Sequence, residues 1–198
     1  SINSSSSEGP TDDLRIKPDI TGNGTSVTST YDSSDSAYGT ITGTSMASPN
    51  VTGTLLLLQQ HYNNLNGSFM RAATLKGLAL HTADDAGPAG PDAVYGWGLL
   101  NAKSAAETIS AEGTSAKIEE LTLNSGQTYE ITVNADGIND LIASISWTDL
   151  PGTATTQTNS STARLVNDLD IRVTQSGSTF YPYRLTSITS NGTGDNSV

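Results

Sequence analysis

Apolar positions follow two different rhythms along the chain, and the rhythm changes near residue 110. Before that point they come in helical blocks separated by Gly- and Pro-rich loops. The stretch from Ser45 to about Asn64 is apolar on most faces, which predicts a helix buried in the middle of a domain. Asn63, Asn64, Asn66 and Gly67 supply its stop signal. A second helix is predicted from about Ser68, read as its cap, to Ala83, closing before Asp84, Asp85, Gly87 and Pro88. Asn101 is read as the cap of a short third helix, AKSAAETI. Helices flanked by loops in this way suit the closing layer of an α/β domain.

After Gly113 the apolar residues alternate instead: Leu121 and Leu123; Tyr129, Ile131 and Val133; Leu141, Ala143, Ile145 and Trp147; Leu169, Ile171 and Val173. That is strand period, with turn signals at Asn124-Ser125-Gly126, Asp136-Gly137, Pro151-Gly152 and Ser176-Gly177. The reading is an α/β domain over residues 1–110 followed by an all-β sandwich over 111–198, with Thr153 to Thr162 as an exposed loop. Trp97 and Trp147 are read as core anchors.

Charge narrows the partners. Twenty acidic residues against nine basic ones give a net charge of -11, spread thinly, which disfavours nucleic acid and anionic membrane surfaces. The absence of cysteine excludes a disulfide framework and any thiolate metal site. The longest apolar run, Leu55 to Leu58, falls far short of the roughly 20 residues of a membrane helix. The opening SINSSSSEGP lacks the basic-then-apolar shape of a signal peptide. Asn-X-Ser/Thr triplets at Asn23, Asn50, Asn66, Asn159 and Asn191 are no more than an Asn-, Ser- and Thr-rich composition produces by chance.

Candidate chemistry concentrates in Gly43-Thr44-Ser45-Met46-Ala47-Ser48-Pro49-Asn50-Val51-Thr52-Gly53. A serine hydroxyl is a poor nucleophile, so a fold that uses one presents it at a tight turn, beside a base, with backbone donors aimed at the developing oxyanion. Small residues around Ser45 leave room for a peptide, and a helix beginning there brings its positive end close. Pro49 is expected to cost little so near the helix start.

In this string the chain resembles the subtilase family, whose Gly-Thr-Ser-Met-Ala-(Ser/Thr)-Pro-x-Val-x-Gly signature it matches throughout. Ser6-Ser7-Glu8-Gly9-Pro10 and Lys17-Pro18-Asp19 are similar to elements that precede that signature, although Thr21-Gly22-Asn23-Gly24 stands where many members continue Ala-Pro-Gly. Tyr95-Gly96-Trp97-Gly98-Leu99-Leu100-Asn101-Ala102, Val166-Asn167-Asp168-Leu169-Asp170 and Tyr181-Pro182-Tyr183 resemble the subgroup with a C-terminal, jelly-roll-like sandwich, alkaline serine proteases of bacilli among them. The resemblance implies the C-terminal part of a doubly wound catalytic domain. It implies a secreted endopeptidase acting on polypeptides, with Ser45 as nucleophile and the Ser45 backbone N–H in the oxyanion hole. It also puts Tyr38, Gly39, Thr40, Gly43 and Thr44 at the border of the substrate pocket, with simple loop packing as the alternative role of Tyr38, Gly39 and Thr40.

An activating imidazole cannot be placed. No histidine precedes Ser45, and His61 lies 16 residues along the same predicted helix, about 24 Å away. His81 is read as a structurally satisfied residue. The resemblance puts the Asp, the His and the oxyanion Asn on an upstream segment, expected as the partner of this one. The alternative is a non-catalytic piece or a degenerate protease whose sandwich serves stability or attachment. Alone, the 198 residues are expected to be catalytically silent and partly molten. Asp168 and Asp170 share one face of a predicted strand, with Asn167 beside them, and are candidates for a structural Ca2+; Asp84, Asp85 and Asp92 are a weaker acidic group. No cofactor is expected for catalysis.

Overall fold

The computed structural model describes residues 2–11, 13–157, 160 and 162–185, with the backbone of 194–195. Three helices form in the first half: α1 (Thr44–Asn66), α2 (Ala72–His81) and α3 (Ala102–Ser110). Leu58 of α1, Leu78 of α2, and Ala105 and Ile109 of α3 meet around Met70, with Leu55, Tyr62, Leu75, Ala106 and Ile118 packed against them. This is the core, and each helix contributes to it through a single stripe. The outward face of α1 is left open, with Leu56 70% and Leu57 71% exposed.

Helix ends follow from local chemistry. Gly67 closes α1 in the left-handed conformation at φ 70°, its N–H returned to the Asn63 carbonyl. Asn101 caps α3 by accepting from the Ser104 N–H at 2.9 Å. The start of α2 differs from expectation: Ser68 is not its cap. The Gln59 side-chain amide grips the Met70 backbone at both ends, donating to its carbonyl and accepting from its N–H at 2.9 Å each, which keeps Met70 as a buried link rather than helix. The helix begins after Arg71, and its cap comes from elsewhere: Glu120 Oε1 accepts from the Arg71 N–H at 2.7 Å and from the Thr74 hydroxyl at 2.6 Å.

Ahead of α1 stands an antiparallel hairpin, β1 (Val27–Thr30) with β2 (Tyr38–Ile41), in the register Val27 to Ile41 and Thr30 to Tyr38. Residues 9–21 are fastened to residues 93–100. Thr21 pairs in parallel with Leu99, which pairs antiparallel with Asp84 on its other side. Asp19 receives both Lys17 and Lys76, the latter at 3.1 Å; these pairs outweigh its burial and hold its carboxyl below the ordinary range.

The second half departs from the expected sandwich. Among the described residues it holds two short ribbons, β3 (Val173–Gln175) with β4 (Ser178–Phe180), and β5 (Arg184–Leu185) with β6 (Gly194–Asp195). Three of the four expected turns form: Gly126 and Gly137 have positive φ, and Ser176 and Gly177 take φ 49° and 86°, as a two-residue hairpin loop demands, whereas the chain makes no turn at Pro151-Gly152. Yet Leu121 to Trp147 makes no ladder, and Leu121, Tyr129, Ile131, Val133 and Ile145 are all exposed. Alternation assigns faces, whereas a strand needs a neighbour for its backbone, and none of the described residues provides one here. Nor do they form the doubly wound sheet; the Thr21–Leu99 bridge is their one parallel pairing besides Glu112–Ala116.

What joins the halves is a seam along one face of α2. Arg71, Thr74, Gly77 and His81 lie three or four residues apart and meet Glu120, Ser146 and Ser144. A Cβ on Gly77 would stand 2.8 Å from that of Ser146, so glycine lets the extended segment lie directly on the helix.

Candidate active site

Ser45 is the second residue of α1 and is exposed. Its turn is seated from below by backbone contacts. The Gly43 N–H donates to the Gly24 carbonyl at 2.9 Å, and the Gly43 carbonyl accepts from the Met46 and Ala47 N–H groups. Gly24 packs so closely that a Cβ there would meet the Gly43 oxygen at 2.5 Å and the Ala47 Cβ at 2.9 Å; one on Gly22 would meet Val51 Cγ2 at 2.6 Å. The departure at residues 21–24 is therefore a pair of glycines that allow the chain to lie against the start of α1. The pattern Gly-x-Gly carries that signal, and sequence reading did not use it.

Pro49 is the sixth residue of α1, not part of the capping turn. The donor it lacks would have reached the Ser45 carbonyl, so that oxygen is without its i+4 partner. This corrects the expectation that the proline is placed where no intrahelical bond exists.

Of the other candidate residues, Tyr38, Gly39 and Thr40 lie in β2, and Gly43 and Thr44 lead straight into Ser45. Tyr38 is exposed, Gly39 lies under the Tyr31 ring, and Thr40 shares a 2.6 Å hydrogen bond with Thr28. The two histidines are spent elsewhere: His61 Nε2 meets Ser110 Oγ at 2.8 Å, tying α1 to α3, and His81 Nδ1 meets Ser144 Oγ at 2.8 Å. Burial lowers the His81 pKa and favours the neutral ring.

Asp168 and Asp170 are both exposed, with Asp170 3.6 Å from Arg172. Asn167 turns away to Asp149, whose carboxylate accepts from the Leu150, Val166 and Asn167 N–H groups and the Asn167 amide. Asp92 is fully buried, Oδ1 accepting from the Val94 and Tyr95 N–H groups, while Asp84 and Asp85 bond Asn101 and Gly90. Among the described residues no group of three or more His, Asp or Glu side chains is placed to hold a metal ion. Trp97 and Trp147 are half-buried; Trp147 lines a recess of about 300 Å³ at the start of α2.

Among the comparisons with known proteins, the family model covers the stretch that carries Ser45. The model described as the subtilase family matches residues 1–98. Over those residues, just under half of its length, the chain is similar to the subtilase family. The chain is 40% identical over 68 positions to an extracellular serine protease of Serratia marcescens, a match covering 34% of this chain and 6% of that protein. A PII-type proteinase of Lactococcus lactis subsp. cremoris is 44% identical over 75 residues, 37% of this chain and 4% of that protein. The Neisserial autotransporter lipoprotein NalP of Neisseria meningitidis serogroup B is 45% identical over 65 residues, 33% and 6%. The matches thus span only a small part of these curated relatives. The crystal structure of a lanthipeptide protease shares 31% identity over 36% of this chain and 21% of that chain, at a TM-score of 0.35, too low to assign a fold. No helix among the described residues is long and apolar enough to cross a membrane.

Proposed function

We propose that Ser45 is the nucleophile of a secreted serine endopeptidase that cleaves polypeptides through a covalent acyl-enzyme. The observation that carries this reading is an exposed serine at the start of α1, inside an intact Gly-Thr-Ser-Met-Ala-Ser-Pro string and seated on Gly24. Its Oγ attacks the scissile carbonyl while an imidazole takes the hydroxyl proton and later returns it to the leaving amine. The Ser45 N–H, free of any intrahelical partner at this position, points a donor at the developing oxyanion. Since His61 and His81 are bonded to Ser110 and Ser144, the His, its Asp and the second oxyanion donor, an Asn, come from polypeptide outside these 198 residues. That polypeptide is the partner of this one, covering the open Leu56 and Leu57 face of α1.

Tyr38, Gly39, Thr40, Gly43 and Thr44 border the path of the substrate, because β2 runs directly into the nucleophile turn. Residues 111–198 contribute to a sandwich whose remaining strands complete the ladders that Leu121 to Trp147 lacks. Asp168 and Asp170 hold a structural Ca2+ within it. Extracellular action accords with the relatives named as extracellular or autotransporter proteins.

Fluorophosphonate labelling of the full-length protein tests the central claim. Label is expected on Ser45 and absent from a Ser45→Ala protein; label on another serine, with Ser45→Ala still active, overturns it. Chelation of Ca2+ is expected to lower the melting temperature of the full-length protein, and an unchanged melt in both wild type and Asp168→Asn disposes of that site.

A further inference from the structure

We infer that Asn23 is a site of spontaneous deamidation whose product unseats the Ser45 turn. The chain contains three Asn-Gly pairs, Asn23-Gly24, Asn66-Gly67 and Asn191-Gly192, the last outside the described residues. Asn-Gly is the pair in which the following amide nitrogen reaches the side-chain carbonyl carbon with least hindrance, since glycine carries no Cβ. The two described pairs stand in opposite environments.

Asn66 ends a 23-residue helix, its Nδ2 donating to the Tyr62 carbonyl at 3.2 Å. The nitrogen that would attack, Gly67 N, donates to the Asn63 carbonyl at 2.8 Å and is held there. Asn23 lies in an irregular segment and is exposed, with its Oδ1 drawn over the following backbone toward the Thr25 N–H at 3.3 Å. The Gly24 N–H is taken by no acceptor among the described residues. The comparable Asp136-Gly137 pair is quiet for a further reason: the Ile138 and Asn139 N–H groups and the Asn139 amide grip Asp136, lowering its pKa to about 2 and keeping it a carboxylate, a poor electrophile.

The reaction needs only water. Gly24 N, losing its proton to base, bonds to Asn23 Cγ; the Cγ–Nδ2 bond breaks and the amide nitrogen leaves, protonated, as ammonia. Water then opens the five-membered imide. Attack at Cγ gives aspartate, while attack at the former backbone carbonyl gives isoaspartate, in which the main chain runs through Cβ and Cγ. No electrons change hands. The isoaspartyl route adds one atom to the backbone just ahead of Gly24, where space is short: even a single Cβ on Gly24 would stand 2.5 Å from the Gly43 oxygen and 2.9 Å from the Ala47 Cβ, and one on Gly22 2.6 Å from Val51 Cγ2. The Gly24 carbonyl is then pulled from the Gly43 N–H, the bond that seats the turn two residues before Ser45.

The functional half of this inference rests on Ser45 as nucleophile; the chemical half does not. Full-length protein is aged at mildly alkaline pH and sampled for peptide mapping by mass spectrometry and for fluorophosphonate labelling. Asn23 is expected to lose its amide, with isoaspartate as the main product, while Asn66 keeps its own. Label is expected on molecules that retain Asn23 and not on those carrying isoaspartate, and Asn23→Gln is expected to hold its labelling throughout. Equal amide loss at Asn23 and Asn66, or none at Asn23, overturns the site. Full labelling of isoaspartyl molecules overturns its consequence, and this comparison is made within wild type, so it stands even where the variant fails to fold. If fresh protein takes no label at Ser45, the nucleophile reading fails while the mass measurement still decides the chemistry.

Discussion

Residues 44–110 and residues 114–150 carry comparable densities of apolar side chains, but only the first stretch turns them into a core. The difference lies in who satisfies the backbone. A helix closes its own hydrogen bonds, so α1, α2 and α3 need from one another only a stripe of side chains. A strand borrows every hydrogen bond from a neighbour, so Leu121 to Trp147 can be extended and alternating and yet remain unpaired. The same sequence rule thus makes an element in one place and only a set of faces in the other.

The sharpest way to break this contrast is a matched pair of truncations in the full-length protein. Ile109→Ala, at a side chain 2% exposed, is expected to cost about 2–5 kcal/mol in chemical denaturation. Ile131→Ala, 43% exposed, should cost a small fraction of that; a comparable loss there would show that strands outside these residues bury Ile131 as a sandwich does. Next in size is the seam. Gly77→Val pushes a branched side chain into Ser146 and is expected to destabilise by about 1–3 kcal/mol, with partial rescue by Ser146→Gly. An unchanged midpoint would mean that the two regions are not pressed together along α2.

The smallest effect is the borrowed cap. Glu120→Gln is expected to cost about 1 kcal/mol, because the carboxylate serves the start of α2 as a cap and as a charge at its positive end. Burial raises the Glu120 pKa, but the Thr74 hydroxyl, the Arg71 N–H and the Arg71 charge outweigh it and bring the pKa below its ordinary value. A lowered folded pKa stabilises above the unfolded value and loses that contribution as pH falls through the folded one. The gap between wild type and Glu120→Gln should therefore be widest at neutral pH and close below about pH 4.5. A gap that widens in acid would contradict this assignment.

Much of the helical layer was legible because its signals are local. Gly67 and Asn101 announce their ends within a few residues, and the turns at Gly126, Gly137 and Ser176-Gly177 fall where glycine's tolerance of positive φ puts them. What stayed hidden was at long range. Nothing near Ser68 reveals that Gln59 holds Met70 and that Glu120, 49 residues on from Arg71, supplies the cap. The nucleophile string was readable for the same local reason, while its seat on Gly22 and Gly24 was not, since the contact joins segments some twenty residues apart. Pro49 was misplaced because its effect depends on where α1 begins.

The fastening of residues 9–21 to residues 93–100 makes everything between them a closed circuit. Gly9 donates to Ala93, Thr21 to Gly98 and, through its hydroxyl, to Tyr95, while Trp97 and Leu100 donate back to Asp19 and Thr21. A single cut at the exposed tip of the β1–β2 hairpin would therefore sever the polypeptide without freeing either end. The piece that begins at the tip would still carry Ser45, and the piece that ends there would still be clasped to the far side of the same ring.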